Sequence, residues 1–247
     1  MNQKTVSNSV LKIKAIKSGS DIPDLEFLKS TSQETSIKSL DQAVHNILLG
    51  MDLVSELENA YGQIESILSQ VKEWVSPGLA SNLEDSEKAT LEVKVALKLR
   101  ELDRSTETFE HKGQKTLDGS LSASFKPEEH SYLIVGTNGS PQNRINLNTC
   151  LNIPCINSKS LGLGSLSIQS PKSGLKALMI LENAMAIITR MKQRSSALET
   201  HLQEIQRRLD TAIENHHAAN SAPTSYEQAQ EFLHAASDFI KKQRRVV

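Results

Sequence analysis

Aromatic residues are scarce in this chain: one Trp, three Tyr and five Phe among 247 residues. A compact α/β enzyme normally lines its pocket with rings, so this scarcity argues against that class. Cysteine is scarcer still, with Cys150 and Cys155 alone. Two thiols exclude a disulfide scaffold, and no His or Cys pair stands near them at zinc-binding spacing. No charge of one sign dominates, because 28 Lys and Arg balance 29 Asp and Glu. Binding to a polyanion through sheer basicity is therefore not expected, nor is an acidic disordered tail. No apolar run approaches the roughly 18 residues of a membrane span. The N-terminal Met1-Asn-Gln-Lys-Thr-Val-Ser-Asn-Ser-Val10 lacks the apolar core of a secretory signal. The expectation is a chain that stays inside the cell or leaves by a route that reads no cleaved signal, with no membrane insertion and no nucleic-acid partner.

What the chain does have is helical periodicity. Breakers cluster at Ser76-Pro77-Gly78, from Lys112 to about Ser173, and at Ala222-Pro223. The first segment, 36–75, places Leu40, Val44, Ile47, Met51, Val54, Leu57, Tyr61, Ile64, Leu68, Val71 and Val75 at threes and fours. That is a coiled-coil seam with one three-residue slip near Val54. The second, 86–109, carries Leu91, Val95, Leu99, Leu102 and Phe109 on one face, with Asp85 and Glu87 where a helix start favours acid. Its stretch from Leu91 to Leu99 also alternates with period two, which leaves a strand reading open, although the polar continuation 100–107 favours helix. The third, 173–218, repeats Leu178, Leu181, Met185, Ile188, Leu198, Leu202, Ile205 and Leu209. Helices of this length cannot bury themselves, and side-by-side antiparallel packing solves the problem.

Between them the pattern changes. Tyr132-Leu-Ile-Val135 is β-prone, Gly136-Thr-Asn-Gly139 carries the Asn-Gly turn signal, and Arg144-Ile-Asn-Leu147 alternates, which predicts a β-hairpin. The fold expected is mainly α, an elongated antiparallel bundle of three long helices with a small β-hairpin region at one end and short terminal helices. Its parts are an N-terminal segment 1–35, a discontinuous helical domain 36–119 and 173–219, the hairpin and loop region 120–172, and a C-terminal helix 220–247.

Ordered pieces of the chain resemble the bacterial flagellins. Ile37-Lys-Ser-Leu40-Asp-Gln-Ala43, Gly50-Met-Asp-Leu53 and Glu58-Asn-Ala-Tyr-Gly-Gln-Ile-Glu-Ser-Ile-Leu68 are similar to that family's first long core helix. Phe109 with Gly113-Gln-Lys-Thr-Leu-Asp-Gly119 resembles the turn that closes its second helix. Leu133-Ile-Val-Gly136, Arg144-Ile-Asn-Leu147 and Ser160-Leu-Gly-Leu163 resemble its β-hairpin, and Gly174-Leu-Lys-Ala-Leu178 with Leu198 to Leu209 its return helix. The resemblance covers roughly 36–219. The family's Asp-Asp-Ala-Ala-Gly step is missing ahead of the first helix, and the chain closes on Phe239-Ile-Lys-Lys-Gln-Arg-Arg-Val-Val247.

The resemblance implies a non-enzymatic, self-assembling structural subunit of the flagellar filament, secreted through the flagellar export apparatus with its chaperone. Its partners would be copies of itself or other flagellins. A hook–filament junction protein and a non-polymerising paralogue acting as a binding or regulatory module are the alternatives. No catalytic, cofactor-binding or metal residues are expected. Candidate packing residues are Leu40, Val44, Ile47, Met51, Leu57, Ile64, Leu68, Leu91, Val95, Leu102, Leu178, Leu181, Met185, Leu198, Leu202 and Leu209. Lys72-Glu73-Trp74 stands where the family's Arg-Glu-Leu segment forms a lateral assembly surface, and is the candidate assembly surface here.

Overall fold

The computed structural model describes residues 22–80 and 83–221, with Gln230 and Leu233 beyond them; side chains are described from Thr35 to Ala219 within this span. The C-terminal helix expected over 220–247 lies mostly outside the described residues. Among those described, the chain is mainly helical, with two small antiparallel strand pairs. The long helices are α1 (Ile22–Val75), α2 (Asp85–Thr108) and α4 (Pro171–Ser221). Between α2 and α4 lie β1 (Glu110–His111), β2 (Gln114–Lys115), β3 (Tyr132–Ile134), β4 (Arg144–Asn146) and the short α3 (Leu147–Leu151). No described helix is long and apolar enough to cross a membrane.

The chain divides into two units, Gln42–Arg208 and a second formed by Met1–Asp41 with Leu209–Val247. In the second, the described parts are helical stretches of α1 and α4, with Leu40 buried and Leu209, Ala212 and Ile213 half-buried. The first contains every strand, α2, α3 and most of the core.

Helix α1 is already helical at Ile22, fourteen residues ahead of the segment that apolar periodicity marks out. Of residues 22–35 only Ile22, Leu25, Phe27 and Leu28 are apolar, and none lies beyond residue 28, so no apolar row runs from them into the segment that begins at 36. The stop is sharper. After Val75 the backbone tightens into a 3₁₀ turn, Ser76–Leu79, containing Pro77 and the buried Gly78. Helix α2 opens on Glu84, whose amide donates to Glu87 Oε2 at 3.2 Å, and its first turn carries Asp85 and Glu87 facing the positive end of the helix dipole. The strand alternative for Leu91–Leu99 is wrong: this stretch is helical, with Val95 and Leu99 buried while Val93 and Leu97 are exposed.

The predicted hairpin is present. Strands β3 and β4 pair antiparallel, with Leu133 opposite Ile145 and Tyr132 opposite Asn146. The connection is longer than a tight Asn-Gly turn, and Asn138 Oδ1 braces it by accepting from the Ser140 amide and from Asn143 Nδ2. A second, smaller hairpin joins β1 to β2 through Lys112 and Gly113, both with positive φ (50° and 77°). That left-handed pair is what a two-residue hairpin turn requires. Asn148 then ties the loops together: its Nδ2 donates to the carbonyls of Ser120 and Ser122, and its Oδ1 accepts from the Ser131 amide. It is fully buried with its hydrogen bonds made, so it organises three segments at once.

Helix α2 holds the segment that leads into α4. Glu92 accepts from the Ile168 amide at 3.0 Å, from Gln169 Nε2 at 2.6 Å and from Ser167 Oγ at 3.2 Å. Asp103 likewise accepts from the Ser158 amide and hydroxyl at 2.6 and 2.7 Å. Desolvation works to raise the Glu92 carboxyl's pKa, but these three hydrogen bonds outweigh it and hold it below the ordinary glutamate range. A depressed folded-state pKa means this anchor contributes fully above the unfolded glutamate pKa and is lost as pH falls through the folded value.

Candidate functional site

The functional surfaces expected from sequence are faces of helices, so their geometry begins with which residues turn inward. On α1 the buried row is Leu40, Ala43, Ile47, Gly50, Val54, Leu57, Tyr61, Ile64, Leu68, Val71 and Val75. The steps alternate three and four without interruption. The slip near Val54 therefore does not exist: Val44 and Met51 are half-buried, and their neighbours Ala43 and Gly50 occupy the row instead. On α4 the buried row is Gly174, Ala177, Leu181, Ala184, Ile188, Met191, Ser195, Leu198, Leu202 and Ile205, again unbroken. Leu178 and Met185 are half-buried beside Ala177 and Ala184, the same one-residue displacement. Strict three-four alternation is the geometry of helices that meet along a continuous seam.

Contacts between α1 and α4 run in opposite directions along the two helices. Gly50 lies against Leu202, Glu65 Oε2 accepts from Lys192 Nζ at 2.7 Å, and Lys72 Nζ lies 3.3 Å from Glu182 Oε1. Gly174 meets the carbonyl of Gly78 just beyond α1. As numbers rise on α1 they fall on α4, so the two helices are antiparallel within Gln42–Arg208.

Of the remaining candidate packing residues, Leu40, Ile47, Leu57, Ile64, Leu68, Val95, Leu102, Leu181, Leu198 and Leu202 are buried, and Leu91 and Leu209 are half-buried. In the proposed assembly surface, Glu73 is exposed while Lys72 and Trp74 are half-buried. The Lys72–Glu182 pair is solvent-facing and contributes little, about 0–1 kcal/mol. Exposed apolar side chains include Leu79 after α1, Val93 and Leu97 on α2, and Leu175 and Met179 on α4. Cys150 and Cys155 are both exposed free thiols, and burial of part of its surroundings pushes the Cys150 thiol pKa up.

One polar layer interrupts the apolar seam. Tyr61 and Ser195 are completely buried, their hydroxyls face one another, and neither completes a hydrogen bond. Burial drives the Tyr61 phenol pKa far above its ordinary value; Ser195 partly offsets this and the Glu58 charge adds to it. Removing an unsatisfied buried hydroxyl without changing shape relieves its desolvation cost. Tyr61→Phe is therefore expected to raise unfolding stability by about 1 kcal/mol, read as a higher urea midpoint at unchanged m-value.

The described residues also line an open cleft of about 550 Å³ between α1 and the loops that follow α2. Leu49, Leu53, Leu121, Phe125, Leu133 and Leu147 form its apolar wall, while His111, Lys112 and Lys115 stand among its polar lining. Thr116 lines it too, buried and with no partner for its hydroxyl. At its side His111 Nδ1 lies 2.7 Å from Glu56 Oε2, with Asp52 one helical turn away. Sequence reading passed over His111, because nothing local relates it to two carboxylates some fifty residues earlier.

No family model matches the chain. Along 222 residues, 87% of this chain and 74% of the other, it is 23% identical to a protein named flagellar filament 30.7 kDa core protein from Treponema maltophilum. It is 22% identical over 94% of its length to a flagellin of Halalkalibacterium halodurans, covering 80% of that chain. This chain is similar in sequence to flagellins. The likeness runs through most of the sequence rather than through one helical segment. A crystal structure of Bacillus cereus flagellin superimposes with a TM-score of 0.46 at 16% identity, over 76% of this chain and 93% of that one.

Proposed function

We propose that this chain is a non-enzymatic subunit of the bacterial flagellar filament, exported without cleavage through the flagellar secretion apparatus and its chaperone, and assembled outside the cell. The observation that carries the reading is the near full-length similarity to a flagellar filament core protein. The unbroken buried rows of α1 and α4 support it physically. In this reading α1, α2 and α4 pack as an antiparallel three-helix bundle over 36–119 and 173–219, with 120–172 as an appended hairpin region and 1–35 and 220–247 as separate end segments. The candidate packing residues fill that bundle's interior.

Lateral contacts between subunits fall on the bundle's outer surface, including the Lys72-Glu73-Trp74 segment. Such contacts are heterologous, and they propagate as an open helical polymer because the rotation between neighbours does not close. The test is seeded assembly. Purified chain mixed with sheared filament fragments from the cells that produce it is expected to sediment as filaments visible by electron microscopy. Chain that stays monomeric under seeding overturns the proposal.

A further inference from the structure

We propose that Asp52, Glu56 and His111 form a binding site for a divalent transition-metal ion, with zinc as the best fit. Asp52 and Glu56 are four residues apart on α1 and so project from one face, one turn above the other. His111 arrives from β1. One donor atom from each residue, two carboxylate oxygens and a ring nitrogen, falls within 4.8 Å of the other two. Zinc held at about 2.0–2.2 Å from each donor requires separations of roughly 3.4 Å, which rotation of the two carboxylate arms supplies. One imidazole with two carboxylates is a donor set that suits zinc, whereas magnesium and calcium prefer oxygen alone.

The imidazole is mostly enclosed, its side chain 12% exposed, and Glu56 already holds its Nδ1 at 2.7 Å. An ion inserted there would replace that hydrogen bond and fasten the β1–β2 hairpin to α1. Three protein ligands leave a coordination position open. His111 also lines the 550 Å³ cleft, which has room for a water or a carboxylate-bearing ligand in that position. One group opposes the ion: Lys112 Nζ lies 3.7 Å from Asp52 Oδ2 and must swing away. That opposition gives the proposal a distinctive signature.

The experiment is calorimetric titration of the full chain with zinc chloride in excess magnesium, in a Cys150→Ser, Cys155→Ser background that removes the two exposed thiols. One zinc per chain is expected, with a rise in melting temperature. His111→Gln, which keeps a hydrogen-bonding side chain but removes the imidazole, is expected to weaken binding at least about tenfold. Asp52→Asn is expected to do the same, and Lys112→Ala to tighten it. Cobalt in place of zinc is expected to give the intense visible bands of a tetrahedral site, lost in His111→Gln. Should that variant fail to fold, Asp52→Asn and Glu56→Gln carry the comparison. No zinc uptake, uptake unchanged by His111→Gln and Asp52→Asn, or equal affinity for magnesium overturns the site.

Discussion

Replacing Leu202 by aspartate lowers the melting temperature by about 10 °C or more and reduces helicity cooperatively, because it costs about 4 kcal/mol. Leu202 is fully buried near the C-terminal end of the α4 row, and its δ-carbons lie 3.1 and 3.8 Å from where a Cβ on Gly50 would stand. Glycine at that point of α1 lets the leucine sit against backbone. A carboxylate placed there loses its water and gains no cation, since the ion pairs between these helices are at Glu65–Lys192 and Lys72–Glu182, well along the seam. The group would have to protonate or the helices separate. Met179→Asp is the matched control: it lies on the same helix but is 58% exposed, so its melting curve should barely move. Circular dichroism at 222 nm during heating reads both. An unmoved curve for Leu202→Asp would sink the assignment of the seam.

Gly174→Ala is the second large effect, and its sign is its interest. Alanine normally improves a helix interior over glycine by about 1 kcal/mol. Gly62, inside α1, has nothing within 4 Å of an added Cβ, so Gly62→Ala should show that ordinary gain. At Gly174 the same methyl group would stand 2.8 Å from the carbonyl oxygen of Gly78 and 3.0 Å from its carbon. Those atoms are backbone and cannot rotate aside. Gly78 is itself pressed against Ile168, where an added Cβ would meet the Ile168 Cβ at 2.7 Å, so the 3₁₀ turn has little room to retreat. Gly174→Ala is expected to destabilise by about 2 kcal/mol, opposite in sign to Gly62→Ala, in parallel denaturant titrations. Equal gains at both positions would mean that the start of α4 does not pack on the turn after α1.

Much of the molecule was legible before folding. Helix α2 begins and ends, and helix α4 begins, within a few residues of the periodic segments, and the Tyr132–Ile134 and Arg144–Asn146 strands appear where alternation placed them. The misreadings share one cause. Apolar periodicity points to Val44, Met51, Leu178 and Met185 rather than Ala43, Gly50, Ala177 and Ala184, since larger side chains carry more transfer free energy. Where two helices meet closely, however, the inward position goes to the residue that lets the backbones approach, and its larger neighbour moves to the flank. The Lys112-Gly113 hairpin was missed because each of its strands is only two residues long, too short to establish a period.

Sequence alone determined that this chain is built from long amphipathic helices around a short β-rich insertion, because periods of 3.6 and 2 are local properties that survive without knowledge of partners. It also carried the ordered likeness to the flagellins. Tertiary structure decided what depends on distance: the rotation of each helix about its axis, the facing hydroxyls of Tyr61 and Ser195, and the meeting of His111 with Asp52 and Glu56. Successive residues of a helix differ by about 100° in direction. Only the neighbouring helix or loop selects which of two adjacent residues is buried and which remote side chain it meets.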